Sequence, residues 1–275
     1  MSSKPLADLF KLDGKAALVT GGAGVIGSRI CLGLAAHGAN VAVVDLDLPA
    51  AKCLAEEINY EYGGKAKAVY CDVSDPASVN AMVDNVYGKF GKIDFLHNNA
   101  AAKSRDLRAF FSPFEQFTLE CWREIMSVNL DGMFLVAQAV GKKMLDQAGG
   151  GSILQTASIY GIVGPDFGIY EGSEYLGHEI STPPAYSASK AGVIGLTKYL
   201  ATYWSGKGIR VNALVPGGVE SGQNENFQKR YGARTPLGRM ADRDEIVGAV
   251  IFAASDASKY MSGQNLIVDG GWTAW

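Results

Sequence analysis

Tyr186 and Lys190 stand four residues apart in the run YSASK, a spacing that puts a phenol and an ammonium group on one face of a helix about one turn apart. A phenol with a pKa of about 10 is a poor base at neutral pH; a nearby cation favours the phenolate and brings Tyr186 toward the range of a general acid/base. Ser158 closes the apolar run GSILQTAS (151–158), where its hydroxyl can hold the oxygen of a reacting group. A lone Tyr-x-x-x-Lys pair also describes an ordinary solvated helix face. Whether this one does chemistry depends on what else the chain brings to it.

Upstream, TGGAGVIG (20–27) follows the strand-like AALVT (16–20) and precedes a helical pattern. A glycine turn in that context lets backbone N–H groups and the positive end of a helix meet a pyrophosphate, which nominates Gly21, Ala23, Gly24, Val25, Ile26 and Gly27. Glycine at a strand-to-helix turn also has a purely steric explanation. Asp45 ends the next strand, NVAVVD, where a carboxylate can accept hydrogen bonds from the hydroxyls of an adenosine ribose. Leu46 follows it rather than Arg or Lys, so nothing offers to pair a 2′-phosphate, and NAD is favoured over NADP. The competing account makes Asp45 a cap for the following helix, with Asp47 a rival for either role.

These side chains need a scaffold, and the chain alternates strands with helices. Short apolar or β-branched runs at 16–20, 40–45, 67–71, 93–99, 151–158, 209–216 and 264–270 predict seven strands. Helical periodicity predicts helices over 25–37, 49–62, 76–90, 118–147, 185–205 and 242–254, and Asp75-Pro76 is a helix cap followed by a first-turn proline. Right-handed crossovers then give an α/β fold, a doubly wound, Rossmann-like parallel sheet with helices on both faces, whose ligands bind at the carboxyl edge of the strands. No linker-like tract divides 1–275, so one domain is expected, interrupted by long irregular segments at 159–184 and 217–240. A formal charge of -3 from scattered acidic and basic residues argues against a nucleic-acid or membrane-surface partner, leaving a small-molecule substrate. Cysteines 31, 53, 71 and 121 form neither a CxxC pair nor a metal spacing, so no metal is expected. Free thiols, without a secretory signal in MSSKPLADLFKLDGK or an apolar membrane span, point to the cytoplasm.

Taken together, the residues resemble the short-chain dehydrogenase/reductase family over essentially the whole chain. The marks are TGGAGVIG, Asp72 in CDVSD, Asn98-Asn99-Ala100 in HNNA, Asn129 in SVNLDG, Ser158, YSASK, VNALVPGG (211–218) and VDGGW (268–272). The resemblance implies Tyr186 as catalytic acid/base and Lys190 as the residue that lowers its pKa and holds the nicotinamide ribose. It implies that Ser158 orients the substrate hydroxyl and that Asn129 anchors a proton-relay water. Asp72 and Val73 would approach the adenine, Asn99, Ala100 and Ala101 the adenosine side, and Pro216, Gly217, Val219 and Ser221 the carboxamide. The reaction implied is reversible hydride transfer between a secondary alcohol and NAD, in a homotetramer or homodimer.

Three departures carry information. Ala101 stands where the family usually has glycine, and Val25 where the second glycine of a short-chain turn belongs, Gly24 supplying it one position earlier; Val25 is expected to turn away from a pyrophosphate. The gap from Ser158 to Tyr186 is longer than in typical members and carries Tyr170, Glu174 and His178, while the second irregular segment brings Gln223 and Asn224. That polar set predicts a sugar-derived or polyhydroxylated substrate. The other explanation for 159–184 is a surface loop or subunit contact. Arg230 or Arg234 is a candidate partner for a substrate carboxylate or phosphate, or else part of a solvated lid helix. Competing functions are a sugar-nucleotide epimerase or dehydratase and a cofactor-binding regulatory protein without turnover.

Overall fold

The computed structural model describes residues 5–275; the first four residues of the expected 1–275 domain, with the start of the N-terminal stretch, lie outside the described residues. Short runs of β-branched and small apolar residues build seven parallel strands: β1 (Ala16–Thr20), β2 (Asn40–Asp45), β3 (Ala66–Tyr70), β4 (Phe95–Asn98), β5 (Gly151–Thr156), β8 (Ile209–Pro216) and β9 (Asn265–Val268). Their order is β3-β2-β1-β4-β5-β8-β9, so the direction of winding reverses between β1 and β4. Crossover helices α1 (Val25–Ala36), α2 (Leu48–Tyr62), α3 (Pro76–Phe90), α6 (Met133–Asp146), α7 (Pro184–Tyr203) and α9 (Val247–Ala254) cover the sheet. One apolar cluster joins β1 and β2 to α1, α2 and α9; another joins the sheet to α3, α6 and α7. This is the doubly wound architecture expected, with its ligand edge where β1 and β4 part.

Asp75 does cap α3, its carboxylate accepting the Ala77 and Ser78 amides at 3.0 and 3.3 Å ahead of Pro76. Elsewhere the periodicity misjudged continuity. The helix expected over 118–147 follows a single-turn α4 (Leu107–Phe110) and is α5 (Leu119–Met126) and α6 separated by a π-turn over Ser127–Gly132. At that turn the Asn129 side chain binds Ala102, and Gly132 presses on Val73, where a Cβ would lie 2.9 Å from Val73 Cγ2. The last helix begins as a 3-10 turn, Arg243–Ile246, fixed by an Asp242–Glu245 capping box. Strand ends shift too: β5 stops at Thr156, which leaves Ser158 beyond the sheet, and β9 covers only part of 264–270.

The two irregular segments are structured and fastened to each other. The first contains a two-stranded antiparallel hairpin, β6 (Glu174–Tyr175) with β7 (His178–Glu179); the second contains α8 (Glu225–Arg234). Arg230 pairs with Glu171 at 3.0 Å and Arg234 with Asp166 at 2.8 Å, while Asn226 donates to the Glu171 carbonyl at 2.8 Å. Stacking continues from Tyr170 through Phe227 and Tyr231 to Trp272, with centroid separations of 5.5, 5.9 and 4.4 Å. The VDGGW run supports this wall: Asp269 accepts from the Gly271 and Thr273 amides, and Gly271 has a left-handed φ of 88°.

Candidate active site

A cavity of about 650 Å³ opens at the carboxyl edge over the β1/β4 switch point. Its floor is the glycine turn, held by a buried polar latch. Thr20 Oγ1 donates to Asn98 Oδ1 at 3.3 Å and accepts from the Asn99 and Ala100 amides at 2.9 and 3.1 Å, and the Asn99 side chain donates to the Thr20 carbonyl at 3.1 Å. The turn admits no side chain at Gly27, where a Cβ would lie 2.0 Å from the Gly21 carbonyl oxygen, and Gly21 adopts φ 61°. No side chain caps α1, which starts at Val25, so its first turn faces the cavity with amide groups to satisfy.

Gly21, Gly24, Val25, Ile26, Gly27, Asp45, Leu46, Asp72, Val73, Asn99, Ala100, Ala101, Pro216, Gly217 and Val219 all line this cavity, together with Ser158, Tyr186 and Lys190. Ala23, Asn129, Ser221 and His178 do not. The Ala23 amide is spent on Asp45 Oδ2 at 2.9 Å. Ser221 lies in the neighbouring lobe, its amide donating to Gln223 Oε1 at 2.7 Å. Asn129 is fully buried with Oδ1 accepting the Ala102 amide at 2.8 Å, so its side chain fixes the cavity wall from behind. His178 sits on the hairpin away from either lining. Asp45 holds the Ala23 and Asp47 amides, while Asp47 caps α2 through the Ala50 amide at 3.0 Å, which resolves the two carboxylates into separate jobs.

A second lobe of about 490 Å³ meets the first at Val25, Lys103, Ser158, Tyr186, Gly217 and Gly218. Tyr170, Glu174, Gln223 and Asn224 line it. Tyr160, Thr182, Lys103, Phe110 and Phe111 join them unanticipated. Tyr160 and Thr182 fall within the segment flagged as irregular, but Lys103 and the phenylalanines carried no periodicity or motif that would have marked them. Arg230 and Arg234 do not line the lobe; both guanidinium groups are paired with the 159–184 segment, which corrects the expectation that either meets a substrate anion.

The reactive side chains stand at the junction of the lobes. Ser158 is buried and held by the first turn after β5, where its Oγ accepts the Tyr160 amide at 3.3 Å. Close packing fixes this turn against α7, since a Cβ on Gly161 would lie 2.7 Å from the Lys190 carbonyl. Lys190 is buried, with Nζ donating to the Thr156 carbonyl at 2.9 Å and lying 5.7 Å from the centroid of the Tyr186 ring. Burial pushes the Lys190 ammonium down to about 8. Burial also raises the Tyr186 phenol above its ordinary value, and its hydrogen bond with Ser158 acts in the opposite direction. The depressed phenol pKa expected from the YSASK spacing is therefore not a property of the protein chain by itself. Desolvation of the ring is the largest influence on the phenol, and the Lys190 ammonium is directed at the Thr156 carbonyl.

Beneath the floor, His97 is fully buried, with Nε2 3.0 Å from Thr156 Oγ1 and Nδ1 without a partner among the described residues. Burial pushes its pKa down to about 3. Histidine in an unfolded chain takes up a proton below about 6.5, whereas folded His97 stays neutral down to about 3, so the unfolded state binds the extra proton in that interval. Stability is expected to rise with pH across that interval, and so to be lost as the pH is lowered through it, at up to about 1.4 kcal/mol per unit. Urea midpoints at pH 7 and 5 should converge in His97→Gln relative to the unsubstituted protein; an undiminished pH difference would show that His97 is not the group responsible.

A parallel sheet with a glycine turn at its switch point and Ser, Tyr and Lys at the adjoining edge defines a nucleotide-dependent alcohol oxidoreductase. A family profile described as enoyl-(acyl carrier protein) reductase matches residues 21–273. D-threitol dehydrogenase of Mycolicibacterium smegmatis is 41% identical over 269 residues, covering 96% of this chain and 95% of that one. Two solved structures superimpose along the whole length. A gluconate 5-dehydrogenase of Burkholderia cenocepacia in complex with NADP and tartrate is 35% identical with a TM-score of 0.85, covering 98% of each chain. A short-chain dehydrogenase of Leptospira borgpetersenii with bound NAD+ is 34% identical with a TM-score of 0.82, covering 99% of this chain and 97% of that one. The chain belongs to the short-chain dehydrogenase/reductase family, and it is a nicotinamide-dependent oxidoreductase acting on alcohols and their carbonyl counterparts.

Proposed function

We propose that this protein is an NAD-dependent dehydrogenase that interconverts a secondary alcohol of a small uncharged polyol and the corresponding ketone. The observation that carries the substrate class is the second lobe: phenol, alcohol, amide and carboxylate groups line it beside Ser158 and Tyr186, together with Phe110 and Phe111; both nearby guanidinium groups are engaged elsewhere, and the Lys103 ammonium lies over the Tyr175 ring at 4.0 Å. Hydroxyl groups are the natural partners of such a lining. D-threitol dehydrogenase, the relative at 41% identity, is named for a four-carbon polyol, which agrees with this reading. Initial rates over uncharged polyols, aldonates, sterols and acyl alcohols test it. Turnover is expected for polyols, and turnover confined to sterols or acyl compounds would reject it.

The uncapped first turn of α1 and the cradle at Gly21 and Gly27 suit a pyrophosphate, with Asp45 and Leu46 at the ribose end, Asp72, Val73 and the 99–101 segment flanking the adenosine, and Pro216–Val219 toward the nicotinamide. Asp45 retains carboxylate lone pairs beyond its two backbone bonds, and its charge repels a 2′-phosphate; Val44 and Leu46 beside it are apolar. NADH is therefore expected to bind at least tenfold more tightly than NADPH, about 1.4 kcal/mol, and Asp45→Ala should erode the gap. Equal or tighter NADPH binding in a fluorescence titration would remove Asp45 from this role.

When bound, the oxidised nicotinamide supplies a cationic acceptor for the carbinol hydride. Tyr186 receives the hydroxyl proton, and Ser158 holds the same oxygen as it becomes a carbonyl. A positive charge on Lys190, anchored on the Thr156 carbonyl, would favour the phenolate against the burial that raises the phenol. Asn129 keeps the Ala102 segment against the reacting edge. After Lys190 the described chain completes the same sheet with β8 and β9 and adds α8 and α9. Exposed Leu119, Phe134, Tyr199 and Tyr203 on α5–α7 support a dimer or tetramer, and the four free cysteines suit a cytoplasmic, single-domain enzyme.

A further inference from the structure

The second lobe holds a directional chain of hydroxyls that proton transfer at Tyr186 does not use. Tyr170 donates its hydroxyl hydrogen to the Tyr160 oxygen at 3.2 Å and lies 2.5 Å from Thr182 Oγ1. Each hydroxyl carries one hydrogen, so with Tyr170 giving its own to Tyr160, the hydrogen on the shorter bond belongs to Thr182. The sequence Thr182 to Tyr170 to Tyr160 ends on a Tyr160 O–H that has no acceptor among the described residues. Tyr160 lies two residues beyond Ser158 on the same turn, and Tyr160, Tyr170 and Thr182 all line the lobe beside Ser158 and Tyr186. Phe227 braces the Tyr170 ring at a centroid separation of 5.5 Å. Burial above all, with the neighbouring phenols Tyr170, Tyr231 and Tyr186, raises the Tyr160 phenol well above its ordinary value, so it keeps its proton throughout the working pH range.

We propose that Tyr160, oriented by Tyr170 and Thr182, is a specificity-determining residue that donates a hydrogen bond to the hydroxyl on the carbon next to the one being oxidised, and so selects vicinal diols. The proposal rests on the reading of this site as a polyol dehydrogenase. With Ser158 and Tyr186 occupied by the reacting oxygen, Tyr160 is the adjacent donor on the same turn, and a neighbouring substrate oxygen completes the chain.

Butane-2,3-diol and butan-2-ol share a skeleton and differ by that one hydroxyl, so the ratio of their kcat/KM values with NAD+ isolates the contact. The unsubstituted protein is expected to favour the diol by about tenfold or more, and Tyr160→Phe to reduce the ratio by about tenfold. Tyr170→Phe should reduce it in the same direction, and it decides the matter if Tyr160→Phe has lost NADH binding and hence its fold. A ratio unchanged in both variants, with both substrates slowed equally, assigns these tyrosines to packing and overturns the proposal. Efficient turnover of both substrates without preference by the unsubstituted protein also overturns it, while leaving the dehydrogenase reading intact. Turnover of no diol or polyol removes that reading and the subsite together.

Discussion

Tyr186→Phe is expected to lower kcat for alcohol oxidation by about 10²–10⁴-fold while changing NADH affinity by less than about threefold, the signature of a lost proton-transfer group. The substitution removes one oxygen from a ring held between α7 and the turn after β5, so packing and the cofactor lobe are retained. Ser158 loses its phenol partner but keeps the Tyr160 amide. Steady-state rates and NADH fluorescence titration on the same preparation separate the two effects. Retained turnover would transfer the acid/base role elsewhere and favour a cofactor-binding regulator over an enzyme.

Lys190→Met is the second large effect, with kcat near pH 7 expected to fall by about 100-fold. Alcohol oxidation needs the phenolate, and Tyr186 starts from a pKa already raised by burial. Removing the ammonium takes away an opposing influence, so the rise of rate with pH should move to higher pH. The Thr156 carbonyl also loses its donor inside the core, and some loss of stability is expected with it. A kcat–pH profile unshifted in the variant would contradict the role given to Lys190. In the chain alone the Lys190 pKa near 8 adds a stability effect of its own. Between about 8 and the ordinary lysine value the unfolded chain holds a proton that the folded chain has lost, so stability rises with pH through that window.

Much of this arrangement was legible in the sequence because it rests on local rules. Seven apolar runs separated by helical periods dictate a wound parallel sheet, and a glycine turn, Asp45 and YSASK placed along such a sheet meet at its carboxyl edge. Three things were not legible, and each depends on contacts distant in sequence. The π-turn at Ser127–Gly132 arises where Asn129 reaches Ala102 and Gly132 meets Val73, interactions that helical periodicity cannot report. Arg230 and Arg234 looked available to an anion because their partners Glu171 and Asp166 lie in the other irregular segment. The Tyr186–Lys190 spacing showed that the groups share a helix face, but the direction of the phenol shift depends on the depth of burial and on where Nζ points. Val25, at the departure from the short-chain glycine pattern, begins α1 and borders both lobes, a position no motif comparison supplies.

Incubation with NAD+ and an uncharged tetritol such as threitol or erythritol, followed by quantification of NADH and ketose, tests the assignment most directly. NADH and ketose are expected in equal amounts, with NADP+ a much poorer oxidant. No NADH from any tetritol, pentitol or hexitol, together with turnover of an acyl or sterol substrate or a preference for NADP+, would contradict it.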